Sequence, residues 1–234
     1  MNKLGIVIST YQRNDGSTPK YLTRTLDSVF NQTYKNFKIY LIGDKYEDNE
    51  EINNIVSKYD NTKLMFKNLP VAKERDFYTN KWALWSYGGV NATNYGIDLS
   101  MSEGNHYICH LDHDDYWGEK HLENIYDCIV GVKSDWICTK AQYTNFVLPR
   151  INSDQKYIDY QPKKESLIHS SVCMNFNTIP LRYRDIFGET GSVGLPADAD
   201  LWERCRMFIS DHKLKSTLIN ELTCYHLEEG FERR

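Results

Sequence analysis

A chain of 234 residues exceeds the roughly 100–200 typical of one domain, yet α/β units reach that size undivided, so one domain is expected. With 41% hydrophobic and 26% charged residues, it has apolar material for a sizeable core and too little charge for disorder. Lysine and arginine total 28 against 32 acidic residues, a net charge of −4; a phosphate-binding surface shows as a basic excess, so nucleic acid is not the expected partner.

The first apolar run, Leu4–Ile8, is strand-sized, and no run approaches the roughly 20 residues of a membrane span, so no integral membrane segment is expected. It reaches polar Ser9 and Thr10 too soon for a signal-peptide core, which leaves it as the first strand. A polar loop Tyr11–Thr18 leads to a helix with Leu22, Leu26, Val29 and Phe30 on one face, Pro19 in its first turn and Ser17 or Thr18 as cap. Phe37–Gly43 reads as a second strand ending at Asp44, Asp48–Tyr59 as a helix, and Lys63–Phe66 as a third strand. A helix within Val90–Met101 precedes a strand His106–Leu111 that runs straight into Asp112-His113-Asp114-Asp115. Alternation of strand and helix predicts a parallel sheet, and ligands of such sheets bind beyond the carboxyl ends of the strands, where Thr10, Asp44 and the acidic cluster fall. The remainder predicts a helix over Glu119–Val130, a strand over Trp136–Lys140, mixed strand and loop to Thr178, and a helix from Asp198 to Ile209. The glycine-bearing loop Gly188–Gly194 is either a plain connection or a lid. Six dispersed cysteines without a Cys-x-x-Cys pair read as reduced thiols in a cytoplasm.

The acidic cluster is the chemical signal. Hard oxygen donors at alternate positions in a turn suit Mg²⁺ or Mn²⁺ shared with substrate phosphates. An isolated Asp-x-Asp is commonly a solvated turn, but several like charges at a strand end repel one another unless a cation or hydrogen bonds compensate. A calcium loop starting at Asp112 fails, because Trp117 sits at the glycine position. A zinc site fails as well: on a strand, His106 and His110 lie about 13 Å apart. No Gly-x-Gly-x-x-Gly or Walker-type lysine loop is present, which removes support for dinucleotide oxidoreduction and P-loop hydrolysis.

In order along the chain, Ile6-Val7-Ile8-Ser9-Thr10-Tyr11-Gln12-Arg13, Ser28 to Phe37 with its Gln32-Thr33, Ile42-Gly43-Asp44, Ala92-Thr93-Asn94-Tyr95-Gly96-Ile97, Leu111-Asp112-His113-Asp114-Asp115-Tyr116-Trp117 and Asp198-Ala199-Asp200-Leu201-Trp202-Glu203-Arg204 resemble the motifs of the inverting nucleotide-sugar glycosyltransferases of family 2, which have the GT-A fold. The resemblance covers residues 4–130 well and 185–226 more loosely. It implies a single α/β domain with a Rossmann-like mixed sheet flanked by helices, divided into a nucleotide-binding half (1–115) and an acceptor half (116–234). It further implies that Thr10, Tyr11, Arg13, Asp44, Arg75, Asn94 and Asp112 bind the nucleotide sugar. Asp112, Asp114 and His226 would hold Mn²⁺ or Mg²⁺, and Asp198 would be the catalytic base, with Asp200 as the alternative. Trp117 is the expected acceptor-side contact. One departure stands out: the family's usual glutamate before the base is Ala197 here.

The function so implied is metal-dependent inverting transfer of a sugar from a nucleoside diphosphate donor, a UDP-sugar, to a hydroxyl of a glycan, in the cytoplasm or peripheral to a membrane-bound acceptor. Two other readings compete. A nucleotidyltransferase also pairs such a sheet with acidic metal ligands, and a non-catalytic nucleotide-sugar-binding module could retain the fold without turnover.

Overall fold

The computed structural model describes residues 3–164 and 166–226. Its elements in chain order are β1 (Leu4–Thr10), α1 (Thr18–Phe30), β2 (Phe37–Gly43), α2 (Asn49–Val56), β3 (Leu64–Asn68), α3 (Lys73–Phe77), α4 (Lys81–Tyr87), α5 (Val90–Ser102), β4 (Tyr107–His110) and β5 (Tyr116–Trp117). There follow α6 (His121–Asp127), β6 (Trp136–Tyr143), β7 (Phe146–Leu148), β8 (Tyr157–Asp159), β9 (Val172–Asn175), α7 (Ile186–Thr190), α8 (Ala197–His212) and β10 (Ser216–His226). Among the described residues the strands form one mixed sheet in the order β3-β2-β1-β4-β9-β6-β10-β5, with β7 beside β6 and β8 beside β10.

The first half is the parallel, helix-connected sheet that the alternating pattern predicts. β1 pairs with β2 from Leu4 opposite Phe37 to Thr10 opposite Gly43, and on its other side with β4. β1 is apolar on both faces because both are covered. Leu4, Ile6 and Ile8 pack with Leu22, Leu26 and Val29 of α1, while Val7 meets Ala92 and Ile97 of α5 in a second core. Complete burial of a leucine such as Leu22 or Leu26 contributes about 1.5–3 kcal/mol. The second core requires close approach of α5: a methyl added at Gly96 would lie 2.7 Å from Val7 Cγ1 and 3.1 Å from Ile42 Cγ1. Beyond β4 the sheet becomes mixed, since β9 runs antiparallel to both β4 and β6.

Several local expectations need correction. Neither Ser17 nor Thr18 caps α1 with its side chain; the Thr18 hydroxyl instead donates to the Tyr11 carbonyl and accepts from Arg13 N–H, so it pins the loop after β1. Asp48 does cap α2, accepting from Glu51 N–H at 2.9 Å. Helices α3 and α4 occupy a stretch where the sequence pattern predicts no helix. The helix expected to Val130 ends at Asp127 and continues as a π-helical turn, Cys128–Val132. Part of the glycine-bearing loop is helix α7, whose cap Asp185 accepts from Gly188 N–H. All six cysteines are buried and unpaired, and no helix among the described residues is long and apolar enough to cross a membrane.

Candidate active site

The neighbours of β1 leave it in opposite directions, and the crevice at such a reversal is where open α/β sheets bind ligands. Here the ends of β1, β2 and β4 line one cleft of about 2000 Å³, which the first residues of α8 also line.

At the end of β2, Asp44 N–H extends the ladder by donating to the Thr10 carbonyl at 2.7 Å, so the Asp44 side chain is delivered beside the loop after β1. Asp44 is almost fully buried, and Arg75 Nε donates to its Oδ2 at 2.7 Å. Burial pushes the Asp44 carboxyl above its ordinary value, with the Arg75 charge opposing. The same guanidinium lies 3.3 Å from the centre of the Tyr11 ring. Tyr11, Asp44 and Arg75 thus bring an aromatic ring, a carboxylate and a guanidinium together on the cleft lining, groups able to stack on and hydrogen-bond a planar polar ring.

At the end of β4 the acidic turn is held from α1. Thr25 Oγ1 donates to the carbonyls of His113 and Asp115, and Arg24 Nη2 to that of Asp114 at 2.5 Å. Each carboxylate has its own cationic or imidazole partner, which answers the repulsion expected of the cluster. Arg13 Nη2 reaches Asp114 Oδ2 at 2.5 Å, His169 Nδ1 lies 2.9 Å from Asp112 Oδ1, and His226 Nδ1 lies 2.8 Å from Asp115 Oδ1. Burial works against ionisation of Asp114, but the neighbouring positive groups outweigh it and hold its carboxyl below the usual range. Burial pushes fully buried Asp115 up to about 6 despite His226, and Asp115 in turn helps to lift His226 to about 9 against its own burial. His113, whose Nδ1 lies 3.0 Å from Thr10 Oγ1, is pushed down to about 4 by burial and stays neutral.

Asp112 and Asp114 place hard oxygen donors on the cleft wall, the donor type that Mg²⁺ and Mn²⁺ take. Among the described residues no three His, Cys, Asp or Glu side chains converge as a metal cage. Two carboxylates would leave any such cation to draw its remaining ligands from water and substrate phosphate, as Mg²⁺ commonly does. His226 also lines the cleft and keeps Nε2 after Nδ1 is spent on Asp115.

Asp198 lies one residue into α8 on the cleft wall. Burial raises its carboxyl above the ordinary value, and the nearby His169 opposes this. Asp200 is placed differently. Arg184 and Arg204 grip it at 2.6 and 2.8 Å, overcoming burial to hold it below the ordinary carboxylate value, and it does not line the cleft.

Two expected site residues lie elsewhere. Trp117 is 3% exposed, stacks on His121 and donates its indole N–H to the Ser170 carbonyl at 2.7 Å, so it is a core residue that does not line the cleft. Asn94 does not line the cleft; its amide is spent on the backbone N–H and C=O of Tyr183. Conversely, His169 and Tyr183 line the cleft and were not singled out in the sequence, where His169 is one residue of an unremarkable Ile168-His169-Ser170-Ser171 run.

The model of the glycosyl transferase family 2 matches residues 5–75. An uncharacterised glycosyltransferase of Acanthamoeba polyphaga mimivirus is 41% identical over 239 residues, covering 97% of this chain and 95% of the relative. Among solved structures, Staphylococcus aureus TarS in complex with UDP superposes with a TM-score of 0.69 at 16% identity, over 96% of this chain and 60% of TarS 1-349. A mannosyltransferase, PcManGT of Pyrobaculum calidifontis, in complex with GDP-Man and Mn²⁺, gives 0.61 at 9% identity, over 98% of this chain and 58% of the other. This chain thus spans somewhat over half the length of those two solved chains.

Proposed function

We propose a reaction for a chain that belongs to glycosyltransferase family 2 and has the GT-A fold: inverting transfer of a sugar from a nucleoside diphosphate donor, a UDP-sugar, to a hydroxyl of a glycan. The observation that carries this reading is a single cleft lined by Asp44 and Arg75, by Asp112 and Asp114, and by Asp198. The UDP complex of TarS and the GDP-Man complex of PcManGT, on the same fold, support a nucleotide-sugar donor.

Tyr11, Asp44 and Arg75 take the base, with the Arg75 guanidinium held between the Tyr11 ring and the Asp44 carboxylate. Thr10 and Arg13 keep the loop after β1 against the acidic turn through His113 and Asp114. Mn²⁺ or Mg²⁺ held by Asp112 and Asp114 would supply Lewis-acid charge to the diphosphate. His226, with Nδ1 on Asp115 and its pKa lifted to about 9, keeps a proton on Nε2 that can be donated to the diphosphate, so in this state it serves the departing negative charge and not the cation. Asp198 accepts the proton of the attacking hydroxyl; its raised pKa makes it a stronger base than an ordinary aspartate. Attack opposite the leaving diphosphate inverts the anomeric centre in one displacement. Residues 1–115 serve chiefly the donor, and residues 116–234 supply the base and the acceptor wall. The reaction is assigned to the cytoplasm, at a membrane surface where the acceptor is membrane-bound.

A panel of UDP-, GDP- and dTDP-sugars, assayed with Mn²⁺ and with Mg²⁺ against mixed glycan acceptors, tests the reaction class. The expected product is the nucleoside diphosphate. Release of pyrophosphate would instead establish nucleotidyl transfer, and donor binding with no release under any acceptor would establish a binding module.

A further inference from the structure

We infer that Asn94, Tyr183 and His169 form a positioning relay that fixes the carboxylate of Asp112 on the cleft wall. The inference rests on the reading that Asp112 faces the donor diphosphate.

The chain of contacts starts on α5, well away from the acidic turn in sequence. Asn94 Nδ2 donates to the Tyr183 carbonyl at 2.9 Å, and its Oδ1 accepts from Tyr183 N–H at 3.1 Å. This two-point clamp holds the backbone of a residue that lies outside any helix or strand. The Tyr183 hydroxyl then meets His169 Nε2 at 2.8 Å and His110 Nδ1 at 3.2 Å, deep among the rings of His110 and Trp202. His169 completes the chain with Nδ1 2.9 Å from Asp112 Oδ1.

An ionised carboxylate only accepts, so His169 Nδ1 carries the proton and donates it. With Nε2 engaged by Tyr183, both ring nitrogens are occupied and the imidazole cannot turn without losing two bonds. The residue after His169 holds the other end of Asp112, because Ser170 Oγ accepts from Asp112 N–H at 3.0 Å. Side chain and backbone of Asp112 are thereby set from one short 3₁₀ turn, His169–Ser171. Such an arrangement matters most for a partly exposed group, and the Asp112 side chain is 40% exposed. Hydrogen-bond partners behind a metal-ligating side chain typically change metal affinity by about 10–100-fold when removed. The relay also gives Asn94 a role toward the donor without contact: it acts through Tyr183.

Calorimetric titration with UDP and with GDP, each in the presence of Mn²⁺, tests the relay on wild type, Tyr183→Phe, His169→Ala and His169→Asn. Uridine alone serves as the control for the base recess, and melting curves without nucleotide report on folding. Tyr183→Phe keeps the ring and its packing; it should melt close to wild type and bind the Mn²⁺ nucleotide about tenfold more weakly, with uridine binding unchanged. His169→Ala should lose at least as much, and His169→Asn, whose Nδ2 can donate where Nδ1 did, should recover most of it. Wild-type affinity in Tyr183→Phe, or an equal loss for uridine, overturns the relay in favour of a purely structural role. Should wild type bind neither nucleotide, the donor reading fails, and the relay is decided by imidazole ¹⁵N–¹H spectra. A slowly exchanging proton on His169 Nδ1, lost in Tyr183→Phe, upholds it; an unprotonated Nδ1 in wild type overturns it.

Discussion

The titration of Glu74 should be visible in the stability of this protein. Glu74 sits on α3 next to Arg75, 1% exposed, with Oε1 accepting from Asn91 N–H at 3.2 Å and Oε2 without a partner among the described residues. Burial, reinforced by the charges of Asp44 and Asp185 and opposed by backbone hydrogen bonds, raises its pKa from 4.5 to about 7. The folded state therefore holds this proton more tightly than the unfolded chain. Its contribution to stability is fully present below pH 4.5 and is lost as pH rises through about 7. At about 1.4 kcal/mol per pH unit, the difference amounts to about 3 kcal/mol, with no discount for solvent because the group is enclosed. Glu74→Gln removes the titration while keeping an acceptor for Asn91 N–H. Urea unfolding of both proteins at pH 5, 6, 7 and 8 measures the effect. The wild-type curve should fall relative to the variant across this range, and the variant should be the more stable at pH 8. Parallel curves, or a variant that loses stability at pH 8 as much as at pH 5, would refute the assignment of a buried, uncompensated carboxylate.

Two substitutions examine the roles of other residues. Asp198→Asn removes the general base while leaving the nucleotide side of the cleft intact, so transfer should fall by about 10²–10⁴-fold with Mn²⁺-nucleotide affinity nearly unchanged; retained turnover would disprove the assignment. Trp117→Phe removes the indole N–H bond to the Ser170 carbonyl and part of the packing on His121, and it should cost about 1–3 kcal/mol in unfolding free energy with acceptor KM unchanged. A raised acceptor KM in an otherwise stable Trp117→Phe protein would return Trp117 to the acceptor side.

The elements that were legible in the sequence are those whose own residues carry a period. Leu22, Leu26 and Val29 mark α1, and the run from Leu4 to Ile8 marks a strand covered on both faces. Helices α3 and α4 were not legible, because each is only one or two turns long and the large apolar residues of α4 fall on both sides: Ala83 and Tyr87 are buried, while Trp82 and Trp85 are 68% and 39% exposed, which blurs the inward stripe. The motifs point to residues that the fold gathers: Thr10, Asp44, Asp112, Asp114 and Asp198 line the same cleft. What could not be read is what each motif residue touches. Trp117 and Asn94 sit in motif segments, yet one packs in the core and the other clamps Tyr183, 89 residues away in sequence. His169 meets Asp112 across 57 residues, and His226 meets Asp115 across 111. Partners so remote depend on the mixed half of the sheet, whose antiparallel β9 and shifted β10 register leave no local pattern.

The central claim is that the acidic turn at the end of β4 receives a nucleotide sugar together with a divalent cation. Thermal melting of wild type and Asp114→Ala with each nucleotide sugar, with and without Mn²⁺, addresses it most directly. The account predicts that at least one nucleotide sugar raises the wild-type melting temperature, more so with Mn²⁺, and that Asp114→Ala loses the increment due to the cation. No stabilisation by any nucleotide sugar, together with an Asp114→Ala protein that responds as wild type does, would contradict it.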